Sequence, residues 1–236
     1  MERGAAMFIQ EWIRIPGGSF VYRVRHRMLE GDCPIEHGPV LCALPTFEIT
    51  KYPVTNGMYR TYCEESGTTV NHKLSEYWEQ NAFDEIADLP CGNITPQEAE
   101  AYCAFYGARL PTEAEWQYAA GGSDLRRFPW GDDLLPTYVD SGKLSPVHAH
   151  PEGDSPFGVS DMCGNAREFT SPIINDGNHS FIMLRGGCCY RAAHAWHIDG
   201  GCKSIDSHCK MLLLNDDSNR SPYVGFRCVR EVKADV

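Results

Sequence analysis

Two helix-start signals of the same kind constrain the fold of this chain most strongly. Thr95-Pro96-Gln97-Glu98 places a hydroxyl at the N-cap, a proline at the first helical position and a carboxylate at the third. Thr112-Glu113-Ala114-Glu115 repeats this capping box shortly afterwards. Glycines follow both segments, at Gly107 and at Gly121-Gly122, and end the helical pattern. The sequence therefore predicts two short capped helices in the middle of the chain.

The remaining pattern predicts one weaker helix and several short strands. The helix begins at Thr55 and continues past Tyr62. Residues 8–15 and 19–24 flank Pro16-Gly17-Gly18 and indicate a first hairpin. Further strands are expected at Phe47–Thr50, 181–185 and 224–232, the last of which should pair near the start of the chain. After Ser123 the recurrence of Gly, Pro, Asp and Ser indicates long loops.

The composition narrows the class of protein. A chain of 236 residues with 42% apolar residues can bury one sizeable core, and no linker divides it, so we expect a single α+β domain over residues 1–236. A net charge of −11 disfavours nucleic acid and anionic membranes as partners. Without an apolar run of about eighteen residues or a leader pattern, we expect a soluble, cytoplasmic protein.

The chain contains eleven cysteines. In a cytoplasmic protein this number indicates reduced thiols, metal ligands or redox chemistry. If the chain were exported, several would form disulfides.

Short motifs along nearly the whole chain occur in the order of one known family. They are Ile15-Pro16-Gly17-Gly18-Ser19-Phe20, Glu48-Ile49-Thr50-Lys51-Tyr52-Pro53-Val54-Thr55-Asn56, Arg109-Leu110-Pro111-Thr112-Glu113-Ala114-Glu115-Trp116, Phe128-Pro129-Trp130-Gly131, Gly164-Asn165-Ala166, Leu184-Arg185-Gly186-Gly187 and Val224-Gly225-Phe226-Arg227. In this order they resemble the formylglycine-generating (sulfatase-modifying factor) family, and the block that ends at Trp116 is highly specific. The resemblance implies a C-type-lectin-like fold with two or three helices, short strands and long loops.

The family's catalytic thiols are not found where the resemblance places them. Family members carry two copper-binding, oxygen-activating cysteines in a pattern like Gly-Gly-Ser-x-x-Cys-His-x-x-x-Cys. Counted from Gly186-Gly187, Arg191 and Trp196 occupy the two cysteine positions and Cys188 occupies the serine position. The copper site of the family therefore does not carry over residue by residue.

The same segment is nevertheless rich in thiols and imidazoles, which suit copper, zinc or iron. We take Cys188, Cys189 and Cys202 as candidate catalytic residues, and His194, His197, His208 and Cys209 as candidate ligands for copper or iron. No spacing among them matches a standard zinc signature. The alternative is that they are packed thiols and loop histidines, since free cysteine is commonly a small buried hydrophobe.

Two further features follow from the resemblance. Asp161, Gly164, Ala166 and Glu168 occupy the positions of a family calcium loop, and calcium prefers such oxygen ligands. The alternative is a solvated turn without an ion. Cys103 and Cys228 match family cysteines that pair, although in a reducing cell they would remain adjacent buried thiols.

Two functions remain open from the sequence. One is a metal-dependent oxidoreductase that acts on a thiol, a peptide or a small metabolite. The other is a non-catalytic ligand-binding protein, similar to the variable proteins of diversity-generating retroelements, whose residues 188–224 form the binding surface. That surface would include Tyr190, Arg191, Trp196 and Asp199. The expected partners are a peptide, a protein or a small molecule.

Overall fold

Strands lie towards both ends of the chain, and the helices lie between them. The computed structural model describes residues 10–27, 34–135, 142–189, 201–215 and 218–232. The first strands are β1 (Trp12–Ile15), β2 (Gly18–Arg27), β3 (Pro34–Leu44) and β4 (Phe47–Thr50). The helices are α1 (Asn56–Ser66), α2 (His72–Gln80), α3 (Phe83–Ile86), α4 (Pro96–Phe105) and α5 (Glu113–Gly121). The remaining strands are β5 (Arg167–Phe169), β6 (Ile174–Asn175), β7 (Ser180–Arg185), β8 (Gly187–Cys188), β9 (Gly201–Cys202), β10 (Cys209–Leu213), β11 (Val224–Gly225) and β12 (Val229–Glu231).

Both predicted capping boxes are present and begin the predicted helices. In α4 the Thr95 hydroxyl accepts a hydrogen bond from the Glu98 backbone N–H, and the Glu98 carboxylate accepts one from the Thr95 N–H. The same reciprocal pair links Thr112 and Glu115 at the start of α5. Thr55 caps α1 as expected. None of the described helices is long and apolar enough to cross a bilayer.

Two helices were not expected from the sequence. Asn71 caps α2 by accepting a hydrogen bond from the Leu74 N–H, and Leu74 is the one fully buried residue of that helix. Tyr77 and Trp78 follow Leu74 at helical spacing and pack partly against the same core cluster, so α2 does carry a short apolar face, which was overlooked. The short α3 has no side-chain cap at all.

The strands form sheets that join the two ends of the described chain. One sheet has the order β1-β4-β12, so the last strand pairs beside the first ones, as predicted. A five-stranded sheet has the order β10-β7-β5-β11, with β6 also paired to β7. Two-stranded ladders join β2 to β3 and β8 to β9. This mixture of helices and mainly antiparallel strands confirms the α+β class.

The expected hairpin between residues 8–15 and 19–24 is wrong. β1 pairs with β4, with Ile15 opposite Phe47, while β2 pairs with β3. Ile15 and Phe47 are both buried in the cluster around Trp116, so burial decides the pairing rather than the adjacent turn. A Cβ at Gly17 would lie 2.9 Å from the Thr46 backbone nitrogen. Glycine at this position therefore lets the link between β1 and β2 pass close to the backbone of the link between β3 and β4.

A buried ion pair lies at the centre of the structure. Glu168 of β5 and Arg227, which follows β11, are both fully buried. The Arg227 guanidinium donates to both carboxylate oxygens, at 2.6 and 2.7 Å, and the Trp116 indole N–H donates to the same carboxylate at 2.7 Å. The guanidinium also donates to the backbone carbonyls of Thr50 and Ser160. A charge pair with this many partners is satisfied despite its burial.

We expect Glu168→Gln to destabilise the protein by about 3–5 kcal/mol, because it leaves the Arg227 charge buried without its counter-ion. The matched control is Glu48→Gln. Glu48 also accepts from an arginine, at 2.6 Å, but that arginine, Arg230, has 41% of its side chain exposed. The control should therefore cost less than about 1 kcal/mol. Urea unfolding of both variants measures the difference, and equal losses would contradict the central role of the buried pair.

Candidate functional site

The strand β7 ends at a glycine pair around which the predicted thiols are arranged. We call Gly186, Gly187 and the segments that they contact the glycine junction. The Gly186 carbonyl accepts hydrogen bonds from the backbone N–H groups of Gly164, at 2.8 Å, and Lys203, at 3.4 Å. Both glycines have positive φ, at 87° and 75°, which favours glycine over other residues. The junction thus brings together the ends of two separate loops.

The two thiols after the junction are buried. Cys188 is 4% exposed and Cys189 is 2% exposed. The Cys189 backbone N–H donates to the Asn165 carbonyl at 2.8 Å, which holds the segment against the adjacent loop. Burial, followed by the proximity of Cys188, raises the pKa of the Cys189 thiol to about 11. Without a bound metal, Cys189 is therefore a neutral thiol near pH 7, and a neutral thiol is a weak nucleophile.

The other two candidate thiols occupy different environments. Cys202 ends β9, and its Sγ lies 2.7 Å from the Sγ of Cys163. Cys209 begins β10, where it packs partly against the apolar core, and burial raises its pKa. Within the described ranges, no group of three or more His, Cys, Asp or Glu side chains is placed to hold a metal ion. The described candidates Cys188, Cys189, Cys202, His208 and Cys209 therefore do not form a site of three or more such ligands.

His208, a predicted metal ligand, contacts a carboxylate instead of the thiols. Its Nδ1 lies 2.7 Å from Glu113 Oε1, and the Arg185 Nε lies 2.9 Å from the same oxygen. Burial acts to raise the pKa of Glu113, but the hydrogen bond with His208 and the charge of Arg185 outweigh it and hold that pKa below its usual value. Tyr22 completes the group, and burial raises its pKa to about 12. This charged cluster joins β2, α5 and the end of β7.

The predicted calcium loop is present as a buried turn beside the junction. Asp161 and Asn165 adopt positive φ, at 55° and 53°, and the Asn165 amide donates to the Asp161 carboxylate at 3.1 Å. Glu168 is engaged by Arg227 and Trp116, so a calcium ion at its carboxylate would lie beside a guanidinium charge. Ala166 and Gly164 lie in the turn between the two acids. Calcium binding at this loop stays a prediction. The contacts of Glu168 with Arg227 and Trp116 argue against this carboxylate as one of the ligands.

Sequence reasoning missed two features of the site. Cys163 lies within the predicted calcium loop but had no role assigned to it, and its partner Cys202 is remote in sequence. Glu113 was named only as part of the motifs that begin α5, which give no sign of His208. Both contacts join distant parts of the chain, so no local spacing could have revealed them. The predicted residues Tyr190, Arg191, His194, Trp196, His197 and Asp199 lie outside the described residues and stay predictions.

The family is established by comparison with known proteins. Residues 2–232 match the sulfatase-modifying factor enzyme 1-like domain, and the chain belongs to this FGE-sulfatase family. The solved structure of CarF aligns over 95% of this chain and 99% of its own, with a TM-score of 0.65 and 18% identity. Treponema denticola variable protein 1 aligns over 94% of this chain and 95% of its own, with a TM-score of 0.60 and 16% identity. These likenesses confirm the C-type-lectin-like fold.

Relatives in sequence differ in their activities. Hercynine oxygenase of Mycolicibacterium smegmatis is 31% identical over 191 residues, which are 67% of this chain and 45% of that protein. Inactive C-alpha-formylglycine-generating enzyme 2 of Mus musculus is 31% identical over 175 residues, 64% of this chain and 54% of that protein. The chain thus spans about half the length of the curated relatives that it matches.

The buried Asp161 gives a pH dependence that can be tested. Burial raises its pKa to about 7, although the Asn165 amide and the Arg227 charge act to lower it. Between about pH 4 and pH 7 only the unfolded chain releases this proton, so the contribution of Asp161 to stability falls as the pH rises. Asp161→Asn removes this effect. We compare the free energies of unfolding of Asp161→Asn and wild type. The difference should shift in favour of the variant by roughly 2–4 kcal/mol between pH 4 and pH 8.

Urea unfolding across this pH range measures the effect, with the surface variant Asp124→Asn as control. Asp124 is exposed and pairs with Arg126, so its variant should change stability by less than about 1 kcal/mol. A constant difference between Asp161→Asn and wild type across the range would show that the Asp161 pKa is not raised.

Proposed function

We propose that this chain is a ligand-binding member of its family that does not convert cysteine to formylglycine. The observation that carries the proposal is the state of the thiols at the glycine junction. Cys188 and Cys189 are buried, and the pKa of Cys189 is raised to about 11. A buried, protonated thiol of this kind is a weak nucleophile toward a substrate in solution. Arg191 and Trp196, which stand at the family's two cysteine positions, support the same conclusion.

Loss of activity on this fold has a precedent among the relatives. The mouse protein that is 31% identical to this chain is itself named as an inactive formylglycine-generating enzyme. A scaffold with a rigid core and loops can keep a binding role after its catalytic groups are lost.

An apolar surface on the five-stranded sheet is the proposed binding face. Along β10 the residues alternate, so that Met211 and Leu213 pack partly on the core while Leu212 is 40% exposed. Leu214, directly after the strand, is 68% exposed. Leu212 is opposite Phe181 of β7, and Phe181 is opposite Ile174 of β6. We call the exposed Ile174, Leu212 and Leu214, together with Phe181, which is only 8% exposed, the sheet patch.

The sheet patch suits an extended peptide segment of a partner protein. In the described part of the chain, β10 is the last strand on its side of the sheet, with β7 as its neighbour. An edge strand can take up a further strand through backbone hydrogen bonds, and neighbouring side chains then give specificity. Leu212 would supply apolar contact, and the amino group of Lys210, which lies 3.6 Å from the centre of the Phe181 ring, would supply charge.

The binding face can be tested by selection from a random peptide library displayed on phage. We expect peptides selected on the wild type to bind the Leu212→Glu variant at least about tenfold more weakly, because a carboxylate in the patch opposes apolar contact. Leu134→Glu is the matched control, since Leu134 is 49% exposed, close to the 40% of Leu212, but lies outside the patch. The proposal fails if no peptide is enriched, or if enriched peptides bind both variants equally.

The loss of the family's activity gives a second expectation. A sulfatase-type Cys-x-Pro-x-Arg peptide, incubated with the protein, copper and a reductant under air, should show no mass change for aldehyde formation. An arginine keeps its proton at any working pH and cannot replace a thiolate ligand. Turnover that Cys188→Ser or Cys189→Ser abolishes would contradict the proposal, because it would make one of these thiols catalytic.

A second candidate function is a metal-dependent oxidoreductase. It is favoured by the similarity to hercynine oxygenase, which is 31% identical over 67% of this chain. The measurement that separates the two functions is the metal content of protein purified anaerobically. Stoichiometric copper or iron would support the oxidoreductase, whereas the ligand-binding proposal expects neither metal in stoichiometric amount.

A structural calcium ion also remains a proposal, with Asp161 as the ligand that supports it most. Calcium bound there would keep the carboxylate ionised and offset the cost of its burial. The pH dependence described for Asp161 should then disappear when calcium is added. If calcium leaves the unfolding curves of wild type and Asp161→Asn unchanged at every pH, this site does not bind it.

A further inference from the structure

Two cysteines that are remote in sequence meet beside the glycine junction. The Sγ atoms of Cys163 and Cys202 lie 2.7 Å apart, and both residues are free thiols in this structure. A disulfide bond is about 2.05 Å long, so a small movement of either side chain would allow the bond to form. Neither the calcium loop nor the family's catalytic pattern gives this pair a role.

The backbone of the glycine junction holds the two thiols together. The Gly186 carbonyl accepts from the N–H of Gly164, next to Cys163, and from the N–H of Lys203, next to Cys202. Cys202 is also opposite Gly187 in the ladder of β8 and β9. A Cβ at Gly187 would overlap the backbone of Gly201 and Lys203, so a glycine is needed for this approach. The contact is therefore set by the backbone and does not depend on a side-chain rotamer alone.

The two thiols differ in their access to solvent. Cys163 is 1% exposed, and its thiol donates a hydrogen bond to the Lys203 carbonyl. Cys202 is partly exposed. A reagent in solution therefore meets Cys202 first, and Cys163 can react only with its neighbour.

We propose that Cys163 and Cys202 form a reversible redox couple that exchanges with a small-molecule disulfide such as oxidised glutathione. The Cys202 thiolate attacks one glutathione sulfur, forms a mixed disulfide and releases one glutathione thiol. Cys163 then loses its proton and attacks the Cys202 sulfur, which releases the second glutathione thiol. Two protein thiols and one glutathione disulfide thus become one protein disulfide and two glutathione thiols. The couple does not depend on the proposed ligand-binding function.

Cys103 and Cys228 provide an internal comparison. Their Sγ atoms lie 3.2 Å apart, but both residues are fully buried. With no exposed member, this pair has no thiol that glutathione can attack first. Under native conditions we therefore expect glutathione to oxidise the Cys163 and Cys202 pair before the Cys103 and Cys228 pair.

Peptide mapping tests the couple directly. The protein is equilibrated with mixtures of oxidised and reduced glutathione, alkylated, digested with trypsin and analysed by mass spectrometry without reduction. Cys163 is the one cysteine of the tryptic peptide 144–167, and Cys202 is the one cysteine of peptide 192–203. We expect these two peptides to become linked as the oxidised fraction rises, and to separate again with excess reduced glutathione.

Variants separate the two steps of the exchange. Cys163→Ser should stop at a glutathione adduct on Cys202, and Cys202→Ser should leave Cys163 unmodified. If Cys163→Ser does not fold, Cys202→Ser alone still tests the order of attack. Cys42→Ser is the control, since Cys42 is also partly exposed but lies on β3, and it should leave the linkage unchanged. Wild type that shows no linkage at any ratio, or only a glutathione adduct on Cys202, would overturn the proposal.

Discussion

The buried ion pair between Glu168 and Arg227 is the interaction on which the rest of the structure depends. Arg227 reaches the backbone after β4 through Thr50 and Lys51, and the turn before β5 through Ser160. Glu168 receives the indole N–H of Trp116 from α5. One charge pair therefore joins two sheets, a helix and the turn that leads to the glycine junction. A buried pair with every oxygen and guanidinium nitrogen engaged keeps these segments in a single arrangement.

Beside this pair, the glycine junction connects several segments through its backbone. The carbonyl of Gly186 accepts hydrogen bonds from two loop ends, and both glycines adopt positive φ angles. The side chains that follow directly, Cys188 and Cys189, are buried. Membership of the family is shown by the fold and the matching domain, whereas a function depends on individual side chains.

Local patterns predicted the parts of the fold that local interactions determine. The capping boxes at Thr95 and Thr112 were readable because each involves residues only three positions apart. The family resemblance supplied the fold itself, through motifs such as the block that ends at Trp116. The hairpin around Gly17 failed because the burial of Ile15 against Phe47 selected another partner strand.

The site was less predictable because its contacts are long-range. Cys188, Cys189 and Cys202 were named from their density in the sequence, yet the burial of Cys188 and Cys189 and the contact of Cys202 with Cys163 arise only in the folded chain. His208 was named as a metal ligand from its chemistry, but Glu113, from the start of α5, is its neighbour. Both contacts join residues that are far apart in the chain, so neither can be predicted from a short sequence motif.

The buried state of the thiols at the glycine junction is most directly measured by their rate of alkylation. Cys188 and Cys189 share one tryptic peptide, residues 186–191, so mass spectrometry can follow both together. With iodoacetamide at pH 7.5, we expect alkylation in the native protein to be at least roughly 100-fold slower than in urea, because burial shields both thiols from the reagent and raises the pKa of Cys189. Alkylation of the native protein as fast as that of the unfolded chain would show exposed, reactive thiols and contradict this description of the site.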